Sequence, residues 1–190
     1  MTGNRGPESA QAGREVFLPA SRRAVQAEGL RDDWYNTTSA DPQSPVAMGG
    51  VQPDTWRNIG GLRNAVSSLH ETRGIGLGKA HLARRVQSHV VATQALIEQM
   101  AAQGQALVAL GRRVDRDVAA QACKGQITVA AGQTPEKRTL TFYDAKTGAE
   151  LKPTVDWGPA LTWRVQRERA RPCGYWLAPS EKPAVEALRA

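Results

Sequence analysis

From Leu82 to Met100 the apolar positions Leu82, Val86, Val90, Thr93, Ile97 and Met100 recur at spacings of three and four. Arg84, Arg85, Gln87, Gln94 and Gln99 fall largely between them, and this spacing predicts an amphipathic helix. After the weak point at Gly104 the pattern resumes at Leu107, Leu110 and Val114, which one kinked helix or two consecutive helices would satisfy equally. Beyond Gly125 the period changes to two. Ile127, Val129 and Ala131, then Leu140 and Phe142, then Leu161, Trp163 and Val165 predict strands, with Asp144 to Gly148 placed as a hairpin turn. Pro153, Pro159 and Pro172 punctuate these runs, so the second unit reads as a small antiparallel β module.

Ahead of the long helix the pattern is weaker. Residues 1–15 carry Gly3, Gly6, Pro7 and Gly13 with no period to bury, and read as a mobile, disordered leader. Ala24, Val25, Ala27 and Leu30 predict a short helix from Ser21 that stops near Gly29. Trp34 to Thr38 is β-prone. Ser39 to Gly61 holds prolines and glycines too often for a regular element, and a loop of that length is a candidate site wall. Ala65 to Glu71 reads as a buried strand, followed by a glycine-rich turn from Thr72 to Gly78. At the far end Ser180 is a candidate N-cap for a helix with Val185 and Leu188 on one stripe, and the chain stops inside it as a truncated helix would.

Composition changes this picture little. The chain has 190 residues, with 25 Lys plus Arg against 18 Asp plus Glu for a net charge of +7. That balance suits an acidic partner without requiring one. Cys123 and Cys173 permit at most one internal bridge and are the wrong set for a zinc ribbon. No apolar run reaches the roughly 18 residues of a membrane span, and the opening residues do not read as a signal peptide. No membrane partner is expected.

Three chemical motifs fail on spacing. The glycines at 74, 76 and 78 place Lys79 where a dinucleotide fingerprint needs glycine, and Ala80 where a phosphate loop needs Ser or Thr. A tight turn explains them better. His70, His81 and His89 form no H-E-x-x-H or H-x-x-E pattern and have no neighbouring cysteine, so they read as helix-surface or core-edge residues. The arginines at 22–23, 84–85, 112–116 and 164–171 lack interleaved aromatics for the most part, which favours a solvated basic surface. Trp157, Trp163, Tyr175 and Trp176 keep a nucleic-acid reading open for the β module.

Ordered blocks carry more. D-W-Y-N-T-T-S-A-D-P, then M-G-G-V-Q-P-D-T-W-R-N, then G-L-R-N-A-V-S-S-L-H-E-T-R-G-I-G-L-G-K-A-H-L-A-R-R-V resemble the latter half of bacterial zinc carboxypeptidases of the carboxypeptidase A superfamily. R-P-C-G-Y-W-L-A-P, from Arg171 to Pro179, is similar to an extension that follows the catalytic domain in the same group. The resemblance spans most of residues 20 to 190.

The resemblance implies an α/β fold: a partial mixed sheet with flanking helices, a truncated carboxypeptidase-like half-domain, followed by the small antiparallel β module. The implied division is 1–15, 16–122 and 123–190. It also implies removal of C-terminal residues from peptides, with Zn2+ held by an H-x-x-E pair and a later histidine. Glu71, in L-H-E-T-R-G, matches the family's general acid/base, and Arg73 is a neighbouring charge able to orient it. The zinc ligands should precede that glutamate, whereas every histidine here lies at or beyond position 70, so no ligand set is expected and the chain alone is expected to be inactive. Trp56 and His70 depart from the smaller or apolar residues expected there. The competing readings are a basic module that binds nucleic acid or an acidic polymer, and a pseudoenzyme that makes protein contacts through Ser39 to Gly61. Oligomeric state is open, and the resemblance leaves export of a parent enzyme to the periplasm open as well.

Overall fold

The computed structural model describes residues 7–38, 44–50, 52, 54–144 and 146–189. Residues 1–6 of the expected leader, 39–43, 51 and 53 of the expected loop and 145 of the expected hairpin turn lie outside them. The fold is α/β, with one long helix and several small mixed and antiparallel sheets.

The helical part begins within the expected leader. Helix α1 (Pro7–Ala12) runs through a π-helical turn (Gly13–Phe17) into α2 (Leu18–Ala27). Glu8 lies in the first turn of α1, and Phe17, Ala20 and Val25 are buried along the run, which explains why a stretch with weak periodicity is helical. The stop at Gly29 is as expected. Gly29 takes a φ of 70°, its N–H donates to the Gln26 carbonyl, and the Leu30 N–H reaches back to the Val25 carbonyl. This paired closure satisfies the last carbonyls of the helix.

Helix α4 (Leu82–Ala119) is one unbroken helix of 38 residues, so Gly104 does not divide it. Helices α1 and α2 pack on it, burying Ala92 and Val114. The expected stripe is turned the other way: Leu82, Val86, Val90, Ile97 and Met100 are all exposed. The pattern identified the helix correctly but not the side that faces the rest of the chain.

Between α2 and α4 the structure differs from expectation twice. The stretch from 44 to 61 contains strand β1 (Val46–Ala47) and reaches into helix α3 (Trp56–Leu62), despite Gly60 and Gly61 in its last turn. A side chain at Gly60 would sit 2.8 Å from the Ser67 Cβ, so glycine is what lets α3 lie against the following stretch. That stretch, Ala65 to Glu71, is not a strand. It is irregular backbone without a partner strand among the described residues, and Leu69 and Glu71 are exposed. Its neighbours are helical side chains, which offer no ladder of backbone donors and acceptors.

The β part contains β2 (Gln126–Gln133), β3 (Glu136–Thr139), β4 (Phe142–Tyr143), β5 (Glu150–Leu151), β6 (Thr154–Gly158) and β7 (Trp163–Ala170). β2 and β7 pair antiparallel as a separate ribbon, and β4 pairs with β5 around the expected turn. At that turn the Asp144 carboxylate accepts from the N–H groups of Lys146 and Thr147 and from the Thr147 hydroxyl. The third sheet is mixed, since β6 pairs parallel with β1 and antiparallel with β3. Its core is Val46, Met48, Leu140 and Trp157, with Trp34 and Phe142 packed against it. The β-prone run at Trp34 to Thr38 forms only a single bridge, Thr37 to Ala47. Cys123 and Cys173 are joined by a disulfide. The last helix, α5 (Lys182–Arg189), begins just beyond Ser180 and leaves Leu188 exposed.

Candidate functional site

The stretch 64–74 lies beside α4 and runs opposite to it. Asn64 Nδ2 donates to Asp115 Oδ1 near the C-terminal end of α4 at 2.9 Å. Thr72 Oγ1 meets His89 Nε2 at 3.2 Å, and a side chain at Gly74 would approach the Arg85 guanidinium near the start of the helix. Ser67 Oγ donates to the Arg57 carbonyl and Ser9 Oγ to the Asn64 carbonyl. Side-chain hydrogen bonds therefore fix the path.

Glu71 stands near the end of this path, exposed to solvent, followed by the exposed Arg73. The structure does not bring them together: neither takes part in an ion pair among the described residues. Their neighbour His70 turns inward. Its ring meets His89 edge-on, with centroids 5.0 Å apart. His70 Nε2 is buried and has no hydrogen-bond partner among the described residues. Burial holds the His70 imidazole below its ordinary pKa of 6.5, the neighbouring His89 adds to that, and Asp32 opposes it. The pattern of histidine spacings missed this pair, because His70 and His89 meet through the antiparallel path and do not share a helix face. The departure at His70 was the one available signal.

The glycine-rich turn from Ile75 to His81 then reverses the chain into α4. Gly76 and Gly78 adopt φ values of 77° and 50°, the left-handed region in which glycine is least strained. His81 precedes the first residue of α4 in the same region and does not share a helix face with His89.

Two concave regions lie nearby. One, of about 400 Å³, sits between Phe17, Val66, Leu96, Met100, Leu107 and Leu110. The other, of about 330 Å³, is bounded by Leu18, Arg22 and Trp34, where the Arg22 guanidinium lies 4.6 Å from the Trp34 ring centre. Glu71 lines neither.

The residues around Glu71 do not fit a zinc ion. His70 and His89 face each other as rings, Thr72 occupies His89 Nε2, and Asp32 is held by Arg22 at 2.7 Å. Among the described residues no three His, Cys, Asp or Glu side chains converge as ligands. No helix is long and apolar enough to cross a membrane among them.

Against known proteins, no family model and no solved structure matches the chain. The chain is similar to Probable carboxypeptidase 2 of Trichophyton verrucosum, with 32% identity over 90 residues that cover 46% of this chain and 17% of that protein. The likeness is to carboxypeptidases. Carboxypeptidase 2 of Trichophyton equinum is 31% identical over 90 residues, again 46% of this chain and 17% of that protein, and Carboxypeptidase 2 of Trichophyton tonsurans is 30% identical over the same shares. The chain therefore spans under a fifth of the length of the curated relatives it matches. These relatives are fungal, where the sequence blocks lead to the expectation of a bacterial group.

Proposed function

We propose that the chain is a carboxypeptidase-like segment of the bacterial zinc metallocarboxypeptidase type, carrying the acid/base position at Glu71 and inactive as a peptidase on its own. The observation that carries this reading is the likeness to Carboxypeptidase 2 over 90 residues. The exposed carboxylate, unpaired among the described residues and at the end of a fixed path, supports the role given to Glu71. In that role the carboxylate takes a proton from water attacking the scissile carbonyl and returns it to the leaving amine, a contribution of roughly 10²–10⁴ in rate. Arg73, two residues on, supplies positive charge beside it. Zinc belongs to this reading through the resemblance alone, so no step is assigned to it.

Two measurements test the proposal. Incubated with peptides and added zinc, the chain is expected to release no C-terminal residues; robust turnover lost in Glu71→Gln would refute the inactivity. In a chimera of Carboxypeptidase 2 from Trichophyton equinum in which residues 34–92 of this chain replace the corresponding segment, peptide hydrolysis is expected to survive. Glu71→Gln in the chimera should lower kcat by roughly 10²–10⁴. A chimera indifferent to that substitution would remove Glu71 from the chemistry.

A second reading rests on β7. Arg167 and Arg169 share one side of the exposed ribbon at a spacing of about 6.6 Å, Arg164 lies nearer the start of the same strand, and none is in an ion pair among the described residues. Exposed Tyr175 and Trp176 follow in the chain. Such a surface suits an acidic polymer such as single-stranded nucleic acid. Binding of a short oligonucleotide at low ionic strength, weakening steeply with salt, is the expected signature; no association at low salt removes this reading.

A further inference from the structure

We propose that the outward face of α4 is the contact surface for a second copy of this chain, packed antiparallel about Ile97. The face is made by Val86, Val90, Thr93, Ile97, Ala101, Gly104 and Val108, all on the side turned away from α1 and α2. Val86, Val90, Ile97 and Val108 are each 51–56% exposed, and Leu82 and Met100 flank them at 49% and 48%. Val86, Ile97 and Val108 stand eleven residues apart, about three turns, so the stripe runs nearly straight along the helix.

Helices that face water usually carry charge there. From Val86 to Gly111 the only Asp, Glu, Lys or Arg is Glu98. Depletion of charge with retained aliphatic side chains is the composition of an interface core. Along Val86 to Val108 the like charges that two copies bring together are their Glu98 carboxylates alone, so the net charge of +7 opposes association mainly through Arg84, Arg85 and Arg112 at the two ends of the overlap.

The spacing selects the occupant. The stripe advances by 4, 3, 4, 4, 3 and 4 residues, a series that reads the same from either end with Ile97 at its centre. An antiparallel copy related by a two-fold axis at Ile97 therefore brings like positions into register, as an isologous contact requires. Val86 then faces Val108 and Thr93 faces Ala101. Val90 faces Gly104, where a side chain would meet nothing within 4 Å in the single chain. A parallel pair would instead set Gly104 against Gly104 and leave a gap. Overlap from residue 82 to 112 is about 45 Å long and one helix width across, roughly 500 Å² per copy and about 1,000 Å² in all. That reaches the lower limit for a specific contact, the range of weak, concentration-dependent association.

Light scattering on the whole chain at about 100 μM is expected to give twice the 20.5 kDa monomer mass. Ile97→Glu, which places two carboxylates at the two-fold axis, should restore the monomer mass while circular dichroism keeps its helical signal. A variant carrying both V86C and V108C should form a covalent dimer on oxidation, whereas V90C alone should not. A monomer at that concentration, a mass unmoved by Ile97→Glu, or cross-linking through V90C alone would each overturn the proposal.

Discussion

At the scale of single residues, His70 is the side chain most exposed to a change of conditions. Its half-buried ring meets His89 edge-on, with Asp32 as the nearby carboxylate. Because burial lowers its pKa, the folded chain takes up a proton at His70 less readily than the unfolded chain does. The neutral ring's contribution to stability is therefore complete above about pH 6.5 and is lost as the pH falls below that value. The melting temperature is expected to drop between pH 7.5 and 5.5, and His70→Gln should flatten that part of the profile. An identical profile in the variant would show that His70 does not govern it. The sequence marked His70 as a departure, but it could not reveal the encounter with His89, which depends on where a later helix returns beside the stretch.

Elements were legible where local chemistry determines them. The three- and four-residue spacing located α4, the glycine at 29 ended α2, and the asparagine-like capping chemistry of Asp144 fixed a turn between β4 and β5. What could not be read locally was the pairing partner. Ala65 to Glu71 has an apolar start that suits a strand, yet among the described residues no strand runs beside it, and the helix that does cannot complete a ladder. The same cause hid which side of α4 is covered. Contact between α3 and that stretch depends on Gly60, and Gly60→Ala is expected to cost about 1–3 kcal/mol, since the added carbon must displace Ser67. Urea denaturation would measure this, and an unchanged midpoint would mean that α3 shifts freely.

The whole molecule exposes 13,256 Å² of surface, against about 8,900 Å² for a typical monomer of its mass. Among the described residues few large side chains are fully buried, Trp157 and Val25 being the principal ones, so low intrinsic stability is expected. The covalent link between Cys123 and Cys173 matters correspondingly more. It closes a separation of 50 residues, for which loop entropy gives about 4 kcal/mol. Cys173→Ser should lower stability by about 2–5 kcal/mol, read as a fall in the denaturation midpoint, and a midpoint equal to that of the oxidised protein would contradict it.

The same link governs how the chain would respond to tension. A pull applied at the two termini passes from Cys123 to Cys173 through sulfur, so the strands between them stand outside the covalent path while the bond holds, and β6 feels the pull only through its pairing with β1. Cleaving it with a reductant would pay out about 170 Å of additional length in a single-molecule stretching trace.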